Sequence, residues 1–244
     1  MAIALVALAP AAHAQRGRGG QGGAAVTPRA AAPVDLTGYW VSVVTEDWRF
    51  RMVTPKKGDH PSVPLNAEGV RVAAAWDPAK DEAAGEQCRA YGAANVMRLP
   101  GRLHVTWPDA NTLQVETDAG TQTRAFHFGA ATAAGEPSWQ GRSVAQWEYA
   151  AGAGGRGGAR SGNLKVVTTN LRPGYVRKNG APYSAQAVVT EYYDLNAAPN
   201  GDQWMTVTTK VEDPVYFTRP YLTSSDFKKL PGASGWNPTP CAAR

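Results

Sequence analysis

From Asp35 onward, apolar residues fall on every second position in short runs separated by turn residues. That period marks half-buried strands. Residues 38–44 are rich in β formers, and 48–53 read as a second extended piece. Residues 103–107 put Leu103, Val105 and Trp107 on one face. In 112–118, Leu113 and Val115 oppose Gln114, Glu116 and Asp118, and in 121–128 Arg124, Phe126 and Phe128 oppose Thr123, Ala125 and His127. Further strands are expected at 140–149, 163–170, 187–194 and 203–212, with Pro199, Asn200 and Gly201 turning the last two into a hairpin. Residues 215–222 read as a final edge strand, because Pro220 suits an edge.

The helical period occurs once, over 66–84. Asn66 can cap it, and Val70, Ala73, Ala74 and Trp76 form its apolar stripe. Pro78 interrupts the helix, and Asp77 can cap a second short turn running to residue 87. About eight to ten strands at regular spacing, plus one small helical insert, predict an all-β antiparallel lipocalin-like barrel. A β-sandwich is the alternative. The absence of βαβ alternation argues against doubly wound and TIM folds.

Composition narrows the setting. The chain has 244 residues, enough for one such domain. Residues 3–9 form a short apolar run, followed by Ala12, His13 and Ala14 in an A-x-A pattern. This predicts a signal peptide at 1–14 and a periplasmic or secreted protein. No charged residue precedes the run, so an alanine-rich tail is the other reading. Residues 15–34 read as a disordered Gly/Ala-rich linker, 35–244 as the barrel domain, and 151–162 as a flexible Gly-rich loop within it. The net charge of +5 includes Arg16, Arg18, Arg156 and Arg160 in those Gly-rich segments, so it does not imply a nucleic-acid partner. No apolar run reaches membrane-spanning length, so no integral membrane segment is expected. Cys88 and Cys241 would pair in an oxidising compartment and pin the tail. Otherwise they are two separate buried thiols.

The second half carries a set of landmarks: residues 137–148 (PSWQGRSVAQWE), 164–169 (LKVVTT), 188–194 (VVTEYYD), 211–214 (VEDP) and 218–220 (TRP). As a set they resemble a large group of exported, functionally uncharacterised bacterial proteins with a lipocalin-like barrel. The resemblance spans roughly residues 88–229. It implies the barrel and periplasmic export, and brings no catalytic residues with it. The chain departs from the group at the 151–162 insert and at the segment 46–51 (EDWRFR).

No strong catalytic motif is present: no G-x-S-x-G, no H-E-x-x-H and no P-loop. No cofactor or metal is therefore expected. His104 and His127, with Glu116 or Asp118, would form a metal or acid–base cluster if they faced inward, and are plain polar positions otherwise. Glu191 shares a face with Val189 and Tyr193. Buried there, it is either a general acid–base or half of an ion pair with Lys165, Arg177 or Lys210. Glu46, Asp47, Arg49 and Arg51 around Trp48 either rim a mouth or form a salt-bridged edge.

Three functions follow. The first is a binding module whose interior holds a mainly apolar or aromatic small molecule, contacted by Arg98, Arg124, Trp107, Tyr193 and Trp204. The second is a lyase, isomerase or hydrolase using Glu191, Asp118 and His127. The third is an interaction protein of the cell envelope.

Overall fold

The computed structural model describes residues 26–129, 135–150 and 161–244. The expected signal peptide and most of the second Gly-rich loop lie outside them. Eleven strands follow in chain order: β1 (Gly38–Val43), β2 (Arg102–Thr106), β3 (Thr112–Thr117), β4 (Gln122–Phe128), β5 (Arg142–Tyr149), β6 (Gly162–Thr169), β7 (Gly174–Arg177), β8 (Ala181–Tyr183), β9 (Val188–Ala197), β10 (Gln203–Glu212) and β11 (Tyr221–Leu230). Nine close a barrel in the order β1-β11-β10-β9-β6-β5-β4-β3-β2, and β7 and β8 form a separate hairpin. The all-β barrel is as expected, and the sandwich alternative falls away.

One pair breaks the antiparallel rule: β4 and β5 run parallel. A parallel neighbour needs a connection long enough to return along the sheet, and residues 129–141 separate the two strands in the chain.

Alternation sends Trp40, Leu103, Val105, Leu113, Val115, Phe126, Leu164, Val166, Met205, Val207 and Phe227 inward, where all are buried. Many outward positions are polar, among them Gln114, Glu116, Lys165, Lys210 and Lys228. That polarity is the reverse of a membrane-spanning barrel. Among the described residues, no helix is long and apolar enough to cross a membrane.

Both ends of the barrel are covered. At one end lies α1 (Pro28–Ala31), capped by Thr27. Trp147 Nε1 donates to the Pro28 carbonyl at 2.8 Å, and Val34 packs on the core. The folded domain therefore begins inside the segment read as linker. At the other end sits an insert between β1 and β2, which packs against the β7–β8 hairpin.

The insert holds α2 (Trp48–Arg51), α3 (Ala67–Ala74) and α4 (Pro78–Ala83). Asn66 caps α3 by accepting from Gly69 N–H at 2.9 Å, and Asp77 accepts from Ala79 N–H at 3.1 Å. The buried stripe is Gly69, Ala73 and Trp76, while Val70 and Ala74 face water. Residues 48–51 are helical, not extended: Asp47 turns the chain at φ 50°, and Arg51 is drawn inward to donate to the Arg98 carbonyl at 2.8 Å.

The last strand is also displaced from expectation. Residues 214–220 form a loop whose turn is held by Asp213, which accepts from Val215 N–H at 2.8 Å. β11 follows it and pairs with both β10 and β1, closing the barrel. A disulfide joins Cys88 to Cys241 and ties the C-terminal tail to the end of the insert.

Candidate functional site

The barrel interior is not a ligand chamber. Leu36, Leu103, Val105, Leu113, Val115, Phe126, Tyr193 and Met205 close on one another and leave about 0 Å³ between them, less than a water molecule needs. Below this apolar layer, Arg124 makes a bidentate pair with Glu191 at 2.8 and 2.6 Å, and both side chains are fully buried. Thr168 accepts from Arg124 at 3.3 Å, Ser143 bonds Thr168 at 2.8 Å, and Tyr193 donates to Glu191 at 3.3 Å. Burial disfavours charge on Arg124, but the Glu191 carboxylate outweighs it and holds the guanidinium above its ordinary pKa.

Glu191 is thus the ionic partner of Arg124, not of Lys165, Arg177 or Lys210. It lines none of the cavities described among these residues. The expected interior contacts Arg124 and Tyr193 belong to this same closed network.

The other expected site residues do not converge on it. Asp118 is buried at the end of β3, where it accepts from Arg102 N–H at 2.7 Å, and its backbone carbonyl accepts from Thr239 N–H. It holds the C-terminal tail and does not share the Gln114–Glu116 face. His127 points outward and sits 3.4 Å from the Thr112 hydroxyl. His104 is also on the outer face, 2.9 Å from Glu116 and stacked on Tyr39. Among the described residues, no three metal-ligating side chains come together. The acid–base reading built on Glu191, Asp118 and His127 is corrected accordingly.

Trp107 packs against Phe128 and Trp147 at the α1 end, with ring centroids 5.5 and 6.4 Å away. Trp204 lies half-buried across from Lys228 on the outside of β10. Arg98 is buried in the insert.

A ligand-sized concavity lies instead at the insert end, between α3, α4 and the β7–β8 hairpin. Its volume is about 270 Å³. Trp76, Tyr175, Tyr183 and Tyr216 supply aromatic walls, with Val72, Pro173 and Pro182 between them. The polar part is a triad of side chains. Asp81, itself buried, accepts from Arg89 Nη1 at 2.9 Å and from the Tyr175 hydroxyl at 2.9 Å. The Arg89 guanidinium lies over the Tyr175 ring at 4.9 Å. Trp76 Nε1 and Arg89 Nε are buried without a protein acceptor.

Trp76 is seated there by the hairpin turn. Gly180 adopts φ +83°, and a Cβ on it would lie 2.2 Å from the indole, so only glycine fits. Two broader clefts, about 380 Å³ beside Trp107 and 350 Å³ beside Arg244, bring together fewer aromatic side chains. Sequence reasoning took Trp76 for core and did not single out Asp81, Arg89 or Tyr175. These side chains meet across about 100 residues of chain, and no local spacing announces them.

Burial raises the phenols of Tyr175, Tyr183 and Tyr193 above the ordinary value of 10.0, and the carboxylates beside Tyr175 and Tyr193 add to it. Below pH 10 these groups are neutral in both folded and unfolded chains, and their contribution to stability is complete. Above it the unfolded chain loses protons that the fold retains, so stability falls as pH rises towards the folded values. A phenolate absorbance titration is expected to leave these three tyrosines silent until near-UV dichroism is lost. Their ionisation while the fold persists would contradict this burial.

Compared with protein-family models, curated proteins and solved structures, the chain matches none.

Proposed function

We propose that this protein is an exported, lipocalin-like barrel that binds a small, mainly apolar or aromatic molecule. The site is the aromatic pocket between the helical insert and the β7–β8 hairpin, not the barrel interior. The observation carrying this reading is a preformed concavity of about 270 Å³, with four aromatic walls and the polar Asp81–Arg89–Tyr175 triad among its lining. Pockets of this kind use apolar walls for affinity and a few polar groups for orientation.

Export is supported by the A-x-A pattern at residues 12–14 and by the Cys88–Cys241 disulfide, a bond that persists in oxidising compartments. The resemblance to exported barrel proteins points the same way.

The test uses a neutral aromatic probe, naphthol, followed by saturation-transfer NMR. Wild-type protein is expected to bind it, and Val72→Trp, which fills the pocket from α3, is expected to weaken binding at least about tenfold, the loss of roughly 1.4 kcal/mol. Equal binding by the two proteins, with unfolding midpoints unchanged, would remove this pocket as the site.

A further inference from the structure

Three arginines are buried together where α2, the 3-10 turn Val96–Arg98 and the β7–β8 hairpin meet. Arg51, Arg98 and Arg177 are 7%, 4% and 2% exposed. With Phe50, Asn95 and Lys178 they line a cavity of about 20 Å³. Residues this polar are almost never buried unless they are paired.

Here the pairing is incomplete. Arg51 pairs with Glu46 and donates to the Arg98 carbonyl. Arg98 pairs with Asp47 at 3.0 Å. Arg177 has no carboxylate partner among the described residues. It donates to the Ser62 hydroxyl at 2.9 Å and lies over the Phe50 ring at 4.3 Å. Arg51 Nη2, Arg98 Nη1, and Arg177 Nε and Nη1 find no protein acceptor. Asp226 attracts Arg51 from further away, while burial and the neighbouring Arg98 depress it. Even with Glu46, Asp47 and Asp226 set against the arginines and Lys178, positive charge remains in excess.

We propose that this cluster is an oxyanion site, taking a carboxylate or phosphoryl group from a small ligand or from a free inorganic anion. Guanidinium forks match the oxygens of both groups. The cavity is about the size of one water, so it has room for a single oxygen of such a group and not for a whole molecule. Exposed Val53 stands at its rim, so the remainder of a larger ligand would extend past it into solvent. The segment Glu46–Arg51 is the one whose sequence suggested the rim of a mouth. The site goes beyond the aromatic pocket proposed above. No lining residue is common to the two cavities, and the naphthol probe and the anions used here report on them separately.

The experiment measures thermal unfolding and calorimetric binding of the full chain in phosphate, acetate and chloride at matched ionic strength. Phosphate or acetate is expected to raise the midpoint saturably above chloride. The better of the two identifies the phosphoryl or carboxylate preference, and binding by free phosphate separates an inorganic anion from an organic headgroup. Arg177→Gln is expected to weaken binding about tenfold or more, the loss of charge-assisted hydrogen bonds. Lys178→Ala is expected to weaken it less. Arg172→Gln, at a part-exposed arginine that pairs with Glu86 and does not line this cavity, should leave it unchanged. Should Arg177→Gln fail to fold, the Arg177 Nε–H resonance of wild-type protein must shift as the preferred anion is added. The proposal is overturned if neither anion exceeds chloride, if Arg177→Gln responds as wild type does, or if that resonance stays fixed. The cluster would then be structural alone.

Discussion

Replacing Arg124 with methionine is expected to lower the unfolding free energy by about 3–5 kcal/mol, because it strands the Glu191 carboxylate in the barrel without a counter-charge. Both side chains are fully buried. No water-sized space lies in the layer above them that would let solvent relieve the orphan. The hydroxyl of Tyr193 offsets part of the loss, since it donates to Glu191 at 3.3 Å. The double variant Arg124→Met/Glu191→Leu should recover most of the stability, because apolar replacements of similar volume remove the desolvation cost of both charges. Urea denaturation of the two variants and wild type measures this. A single variant within about 1 kcal/mol of wild type would show that the pair is solvated, well below the cost of an uncompensated buried charge.

The second large effect is expected at the disulfide. Cys241→Ser should cost about 2–5 kcal/mol, the upper end reflecting the 153-residue separation of the two cysteines. The bond fixes the insert and the tail at the side of the barrel where Gln122 contacts both sulfurs. Loss should therefore be felt first in the aromatic pocket, through the chain leading from Cys88 to Arg89. The expected sequence on adding reductant is loss of naphthol binding before loss of barrel dichroism. If the unfolding midpoint is the same in reducing and oxidising buffer, the bond adds nothing to the fold.

Most strands were legible because they are amphipathic. Residues 203–212 read correctly to the residue, and the inward set Arg124, Phe126 and Phe128 faces the interior or its end as alternation required. Glu191 and Tyr193 were placed on one face with Val189, and all three are buried. β11 was missed because its middle, Thr223 to Asp226, is polar on both faces, and it is a strand by virtue of its neighbours on either side. Trp48 to Arg51 was misread because β formers placed around an arginine look extended. A helical turn wins there because it lets Arg51 reach Glu46 and the Arg98 carbonyl.

The chain's own pattern determined an all-β barrel, a small capped helical insert and a pair of cysteines positioned to close it. Those features depend on period and on local capping, which neighbouring residues carry. The sequence also pointed to Glu191 as a buried carboxylate, because it stood on a mostly apolar face, and named Arg124 as a ligand contact. Tertiary structure alone decided that these two satisfy each other inside a filled core. It likewise decided that the open space lies outside the barrel, where Trp76, Asp81, Arg89 and Tyr175 converge. Whether a buried charge finds a partner or a cavity depends on contacts between segments far apart in the chain, and a local pattern carries no record of them.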